Sequence, residues 1–272
     1  MDDMTLYIDD NTTVDPGAWA DGARGLVPRD LAANPRGCYA SAAAVDIPTI
    51  PRSDWSDLIR QMEADRSRLS DIRLAGDAGQ PIPSLDQNPW GYCWAHSSVQ
   101  AVMALRARDN QPYVPLSAFA VAATIKGGAD EGGWGAQSLD FITQRGVPAQ
   151  SFWPQKSADL RHGTPECWAN AKLHRVTEGW IDLAAPVYDR DLSFDQVITC
   201  LLCRVPVVCD FMWWGHSVVA LDAVETAPGK FGVRIWNSWG DSFGDMGMAV
   251  LGGSKAIPDN AVAPRVATAS VN

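Results

Sequence analysis

Cys93 is the residue whose type and position most strongly indicate chemistry. It directly follows a turn at residues 88–92 and opens a helix-like pattern of apolar residues. A thiol at the amino terminus of a helix lies at the positive end of the helix dipole, which lowers its pKa and favours the nucleophilic thiolate. Gln87 is close enough in sequence to form a two-donor oxyanion hole with the backbone N–H of Cys93.

A thiolate nucleophile needs a general base, and the chain has four histidines. His216 is the best placed, because it begins a strand-like run at residues 216–221, whereas His162 and His174 lie in polar surroundings. Asn237 can accept the second ring N–H of His216, and Trp239 can shield that hydrogen bond from water. The residue types therefore predict nucleophilic catalysis by a Cys-His-Asn arrangement.

The elements that must hold these residues change in character along the chain. Apolar residues at helical spacing predict helices at about 54–73, 93–105, 117–125 and 136–145. After about residue 165, short apolar or alternating runs predict antiparallel strands at 205–209, 217–224, 231–236 and 246–251. Helices followed by strands indicate an α+β protein of two lobes with a cleft between them.

Turn residues and composition divide the chain into three parts. Residues 1–50 contain Pro-Gly, Asp-Gly and Asn-Pro steps and are expected to form an irregular N-terminal arm. Residues 51–251 form the predicted domain, with the helix at about 54–73 as an insertion. Residues 252–272 lack periodicity and are expected to be an extended tail without a core of their own.

Five segments, in order along the chain, resemble the papain-like cysteine peptidases. They are residues 50–55, residues 87–95 with the family's Gln, Gly and Cys-Trp-Ala signature, residues 116–117 with 132–134, residues 215–218 and residues 237–240. His216 and Asn237 follow Cys93 by 123 and 144 residues, near the separation of roughly 130 to 150 that is typical of the family.

The resemblance implies a papain-like fold with a helical left lobe and a β-rich right lobe. Cys93 would attack a peptide carbonyl while protonated His216 supplies the leaving amine with a proton. The resemblance also assigns substrate binding to Gly132, Gly133 and Trp239, and it implies no metal and no organic cofactor.

Two departures from the family concern disulfides and control. Trp90 replaces the cysteine that the family usually has three residues before its nucleophile. The absence of that disulfide agrees with a reducing, cytoplasmic compartment, or with incorporation into a virion. The first 50 residues lack the long helical inhibitory prodomain of the family. Control by the usual prosegment is therefore not expected, although the arm can still cover the cleft.

Composition excludes several classes of partner. Hydrophobic residues make up 46% of the chain, which indicates a globular protein. The 22 Lys and Arg residues against 32 Asp and Glu give a net charge of -10, which argues against nucleic acid and membrane as partners. The expected partners are a peptide or protein substrate and proteins that order the two terminal segments.

Two alternatives follow from the same residues. Cys200, Cys203, Cys209 and His216 imitate the spacing of a zinc site, but the segment between them is apolar, so no metal is expected. The alternative function is a papain-like domain that serves as a structural or binding subunit of a larger assembly, for example a phage or virus particle, with little or no proteolytic activity.

Overall fold

The computed structural model describes residues 5–12, 22–183 and 187–268. The helices in these ranges are α1 (Arg52–Ala64), α2 (Leu69–Ala75), α3 (Cys93–Arg108), α4 (Ala118–Lys126), α5 (Gly135–Arg145), α6 (Pro165–Ala171) and α7 (Arg190–Leu202). The strands are β1 (Tyr7–Ile8), β2 (Ala42–Ala43), β3 (Arg175–Val176), β4 (Trp180–Asp182), β5 (Val207–Phe211), β6 (His216–Ala227), β7 (Lys230–Trp236), β8 (Met248–Leu251), β9 (Asn260–Pro264) and β10 (Ala267–Thr268). None of these helices is long and apolar enough to cross a bilayer.

One eight-stranded sheet has the order β1-β8-β7-β6-β5-β9-β4-β2. Its centre is antiparallel: Val208 pairs with Val219, and Ala220 pairs with Ile235. Short turns suffice between antiparallel neighbours, and Gly229 supplies a positive φ of 69° at the turn between β6 and β7. The sheet therefore fixes where β6 begins, at His216, and where β7 ends, one residue before Asn237.

Helix α3 forms the boundary between the helical lobe and the sheet. Every residue from Cys93 to Arg106 is buried, as expected for a helix that is covered on all sides. Its Ser97 hydroxyl lies 2.9 Å from the Ser217 hydroxyl of β6, and Gln100 Nε2 donates to the carbonyl of Trp236 at 3.2 Å. These contacts hold α3 against the start of β6 and the end of β7, which gives the expected α+β architecture.

The helical predictions differ from the structure at three places. One is α6, which was not predicted. The single helix expected at about 54–73 is two helices, because Arg66 takes a positive φ of 50° between α1 and α2. Helix α7 was not predicted, although Asp189 caps it by accepting a hydrogen bond from the N–H of Leu192 at 2.9 Å.

Both terminal segments contribute to the sheet, which differs from the predicted division. Strand β9 lies inside the sheet between β5 and β4, and its five residues are buried. Its Ala-Val sequence does not alternate because both of its faces are covered. From the arm, β1 pairs in parallel with β8 and β2 pairs in parallel with β4. Residues 1–4 and 13–21 of the predicted arm and 269–272 of the predicted tail lie outside the described residues.

Candidate active site

The sequence-predicted chemical residues lie on elements that converge where the two lobes join. A hydrogen bond links His216 to Asn237, whereas His216 Nδ1 makes none to the Cys93 thiol. Cys93 is the first residue of α3, His216 is the first residue of β6, and Asn237 directly follows β7. Gln87 lies in the segment that leads into α3. All four of these side chains are fully buried.

His216 and Asn237 form a direct hydrogen bond, with 2.7 Å between His216 Nε2 and Asn237 Oδ1. The same oxygen accepts the backbone N–H of Ser238 at 2.8 Å, which identifies it as the acceptor and places the proton on Nε2. His216 Nδ1 is then the unprotonated nitrogen. It is buried without a hydrogen-bond partner among the described residues, so it is available to accept a proton.

Aromatic rings shield this hydrogen bond. The ring of Trp239 lies 4.6 Å from that of His216, at an interplanar angle of 33°. The ring of Trp214 lies 4.9 Å from that of His216 in an edge-to-face arrangement, at an interplanar angle of 64°. Both rings cover the His216–Asn237 pair, whose two side chains are fully buried.

Burial sets the protonation of the site. It raises the pKa of the Cys93 thiol to about 12, and the backbone N–H groups of Ser217 and Gly25 oppose this shift only partly. Burial also lowers the pKa of His216 to about 3, against the opposing hydrogen bond to Asn237. The expectation of a lowered Cys93 pKa is therefore wrong for this state. The helix dipole favours the thiolate, but the loss of water costs the thiolate more.

The N-terminal arm causes this burial. Its residues 22–29, which we call the plug, lie in the cleft. The Ala23 carbonyl accepts hydrogen bonds from Gln87 Nε2 at 2.9 Å and from Trp239 Nε1 at 3.0 Å. The Ala23 N–H donates to Asn88 Oδ1 at 2.7 Å. The amide that was predicted to hold an oxyanion is thus bound to the chain's own carbonyl.

Gly133 binds the next part of the plug through its backbone. The Gly133 N–H donates to the Gly25 carbonyl at 2.9 Å, and the Val27 N–H donates to the Gly133 carbonyl at 2.9 Å. Leu26 is thereby paired with Gly133 in parallel. The two predicted substrate-binding glycines leave no room for side chains here, since a Cβ on Gly133 would lie 2.6 Å from Trp94 and one on Gly132 would lie 2.6 Å from the Gly25 carbonyl.

Comparison with known proteins places this arrangement in context. No protein-family model matches the chain. Stem bromelain of Ananas comosus is 31% identical over 83 residues, which are 30% of this chain and 39% of bromelain, so the match spans about two fifths of that curated relative. Xylellain, a cysteine protease from Xylella fastidiosa, superposes with a TM-score of 0.59 at 18% identity, over 90% of this chain and 97% of xylellain.

Two precursor forms superpose over almost the whole chain. A recombinant stem bromelain precursor gives a TM-score of 0.60 at 17% identity, over 99% of this chain and 85% of the precursor. Procathepsin L2 of Tenebrio molitor larval midgut gives a TM-score of 0.57 at 18% identity, over 97% of this chain and 84% of the procathepsin. The chain has the papain-like fold. The predicted resemblance and the two-lobed α+β architecture are confirmed.

Sequence reasoning missed one polar residue at the centre of this papain-like fold. Asp210, on β5, is 2% exposed. Its carboxylate accepts hydrogen bonds from the Ser217 hydroxyl at 2.7 Å, from Asn260 Nδ2 at 3.0 Å and from the Gly135 N–H at 3.2 Å. Burial raises its pKa despite these partners. A charged residue inside an otherwise apolar strand was the signal that could have identified it.

The other candidate groups lie apart from this chemistry. His96 is buried, with Nδ1 at 2.8 Å from the Tyr92 carbonyl, and burial lowers its pKa to about 4. Cys200 and Cys209 are buried, whereas Cys203 is exposed. Within the described ranges, no group of three His, Cys, Asp or Glu side chains is arranged to hold a metal ion.

Proposed function

We propose that this protein is a papain-like cysteine peptidase that is held in a latent state by the plug. The observation that carries the proposal is the way in which the cleft binds the plug: Gln87 and Gly133 hold extended backbone through its carbonyl and N–H groups. A cleft that recognises peptide backbone next to a buried thiol and imidazole is suited to peptide-bond hydrolysis.

Departure of the plug would activate the pair. Water would enter, and the positive charge of Arg24, which lowers the pKa of His216 together with burial, would leave. The Cys93 thiol would then transfer its proton to His216 Nδ1 and form a thiolate–imidazolium pair. Asn237 would hold the imidazole ring in the orientation for this transfer.

The reaction proposed for the opened cleft is acyl transfer. The Cys93 sulfur forms a bond to the peptide carbonyl carbon, and Gln87 Nε2 with the Cys93 N–H stabilises the oxyanion. The C–N bond breaks as His216 Nδ1 gives its proton to the leaving amine. Water, deprotonated by His216, then cleaves the thioester and releases the acid.

The direction of the plug explains why it is not itself a substrate. The leaving amine must lie beside His216 and Trp239, so the residues before the cleaved bond, the acyl side, lie along Gly133. The plug runs the other way, because Ala23 contacts Trp239 whereas the later residue Leu26 pairs with Gly133. In this direction, the carbonyl side of each peptide bond lies nearer His216 and the nitrogen side lies nearer Gly133, so His216 cannot give a proton to the leaving nitrogen.

The test is hydrolysis of a mixed peptide library by the full chain carrying Gly25→Ala, which opens the cleft. Matched chains carry Cys93→Ala in addition. Cleavage that disappears with Cys93→Ala is expected. Equal, negligible cleavage by both chains, together with copurification in a fixed ratio with a larger particle, would instead favour the structural-subunit alternative.

A further inference from the structure

We propose that the acyl side of the cleft contains an acidic subsite that binds an arginine side chain of the substrate, and that Arg29 of the plug occupies this subsite in the latent state. The inference rests on the proposed function, since it names the class of peptide that the cleft would take. It goes beyond that function in assigning Asp182 and Asp210 as specificity-determining residues.

The Arg29 guanidinium is held from two sides. Its Nε and Nη2 donate to the Asn34 and Pro35 carbonyls of its own arm at 2.9 and 2.8 Å, and its Nη atoms also bind the body of the protein. The side chains of Arg29 and Asp182 are each 1% exposed. Arg29 Nη1 and Nη2 donate to the two carboxylate oxygens of Asp182, both at 2.8 Å, and Nη1 also donates to Asn260 Oδ1 at 3.2 Å. Paired N–H donors on one carboxylate are the geometry for which a guanidinium is best suited.

A second carboxylate closes the pocket. Asn260 Nδ2 donates to Asp210 Oδ2 at 3.0 Å, so one amide bridges the Arg29 guanidinium and Asp210. A cavity of about 70 Å³ remains between the plug and the body and is bordered by Arg29, Asp210, Asp259 and Asn260. The body of the protein therefore supplies the negative charge and unfilled space, while the plug supplies the positive charge.

The pocket lies next to the proposed chemistry. Asp210 accepts the N–H of Gly135, two residues after Gly133, and the hydroxyl of Ser217, the residue after His216. Within the plug, Arg29 follows Leu26, the partner of Gly133, by three residues. Three extended residues span about 10 Å. A substrate whose backbone lies along Gly133 thus has its acyl-side side chains within reach of the pocket.

Departure of the plug creates the selectivity. Asp182 would lose its bidentate partner and keep, among the described residues, only the N–H of Gly37, at 2.8 Å, on its carboxylate. A buried carboxylate without its paired guanidinium is in an unfavourable state. A substrate arginine restores both hydrogen bonds and the charge pair. A neutral side chain restores neither, and a lysine offers one ammonium in place of the planar fork. We therefore expect arginine to be preferred over lysine, and both to be preferred over neutral residues.

The test compares peptides that contain arginine or citrulline, which has the same shape without the charge, at each position on the acyl side. Binding is measured by fluorescence anisotropy to the full chain carrying Gly25→Ala, Arg29→Ala and Cys93→Ala. At one position, the arginine peptide is expected to bind about 10-fold or more tightly, the scale of a charge-assisted pair. Asp182→Asn is expected to reduce the ratio to about 1, whereas Asp191→Asn, an exposed acidic control, leaves the ratio unchanged.

Equal binding of arginine and citrulline at every position would overturn the subsite. If Arg29→Ala prevents folding, the same comparison in the Gly25→Ala, Cys93→Ala chain decides, since Arg29 leaves with the plug. Hydrolysis by the same chain without the Cys93→Ala substitution separates the proposed peptidase activity from the proposed subsite. Selective binding without hydrolysis would refute the peptidase and keep the subsite, and hydrolysis without selectivity would do the reverse.

Discussion

The side-chain amide of Gln87 donates to the backbone carbonyl of Ala23 across 2.9 Å. The same nitrogen donates to the Trp90 carbonyl at 2.9 Å, so both N–H groups of the amide proposed to stabilise an oxyanion are already bound to carbonyl oxygens. Ser238 fixes the other end of the amide, since its hydroxyl donates to Gln87 Oε1 at 2.6 Å. The closed cleft is therefore a hydrogen-bonded state in which the proposed oxyanion donor is already held in position.

Gly25→Ala is expected to displace the plug. A Cβ at this position would lie 1.7 Å from the Gly91 carbonyl oxygen, a backbone atom that cannot rotate away. Overpacking of this kind costs about 1 to 3 kcal/mol, enough to raise the open population by roughly 5-fold to 150-fold. The measurement is the rate of Cys93 alkylation by iodoacetamide, followed by mass spectrometry. Ala33→Val, on an exposed part of the same arm, should leave the rate unchanged. An unaltered rate in Gly25→Ala would contradict the steric argument.

The pH dependence of Cys93 alkylation should change when the cleft opens. In the closed state, burial raises the thiol pKa from 9.0 to about 12, so at pH 7 the thiolate fraction falls about 1,000-fold. Cys93 is then expected to react more slowly than exposed Cys38. In Gly25→Ala, with the ion pair formed, Cys93 should react faster than Cys38 even near pH 6. Loss of that advantage in a Gly25→Ala, His216→Ala chain would identify the imidazole as its source, and its persistence would argue against the pair.

Much of this site could be predicted because its residues carry local signals. Cys93 opens a helix after a turn, and His216 and Asn237 flank two β-rich runs in a recognisable order. The plug carried no such signal. It binds through the backbone carbonyl and N–H groups of Ala23 and Gly25, and every residue has such groups. The contact between Arg29 and Asp182 joins residues that are 153 positions apart, so no local pattern indicates it. The pKa of Cys93 was mispredicted for the same reason, since its burial depends on the plug.

Acid should destabilise the fold through its buried histidines. Burial lowers the pKa of His96 and His174 to about 4, below the ordinary value of 6.5. The unfolded chain therefore binds these protons first, and the free energy of unfolding falls as the pH drops from 6.5 towards 4. Each histidine contributes a slope of up to about 1.4 kcal/mol per pH unit. The free energy of unfolding is measured by urea denaturation between pH 7 and 5. Its slope against pH should be smaller in His96→Gln, by an amount that corresponds to about one proton. An equal slope in both proteins would mean that His96 is already protonated in the fold.

Gln87→Ala is expected to change two readouts in opposite directions. Loss of the amide removes the hydrogen bond that holds the Ala23 carbonyl, so the plug loosens and alkylation of Cys93 becomes faster. The same change removes an oxyanion donor, so peptide hydrolysis falls by about 100-fold or more when measured in the Gly25→Ala background. Gln144→Ala, on an exposed part of α5, serves as the matched control and should alter neither rate. A general loss of folding would lower hydrolysis and expose the other buried thiols, Cys167, Cys200 and Cys209, to alkylation as well. Selective labelling of Cys93 together with reduced hydrolysis would therefore assign Gln87 both roles, whereas hydrolysis that survives the substitution would remove it from the oxyanion hole.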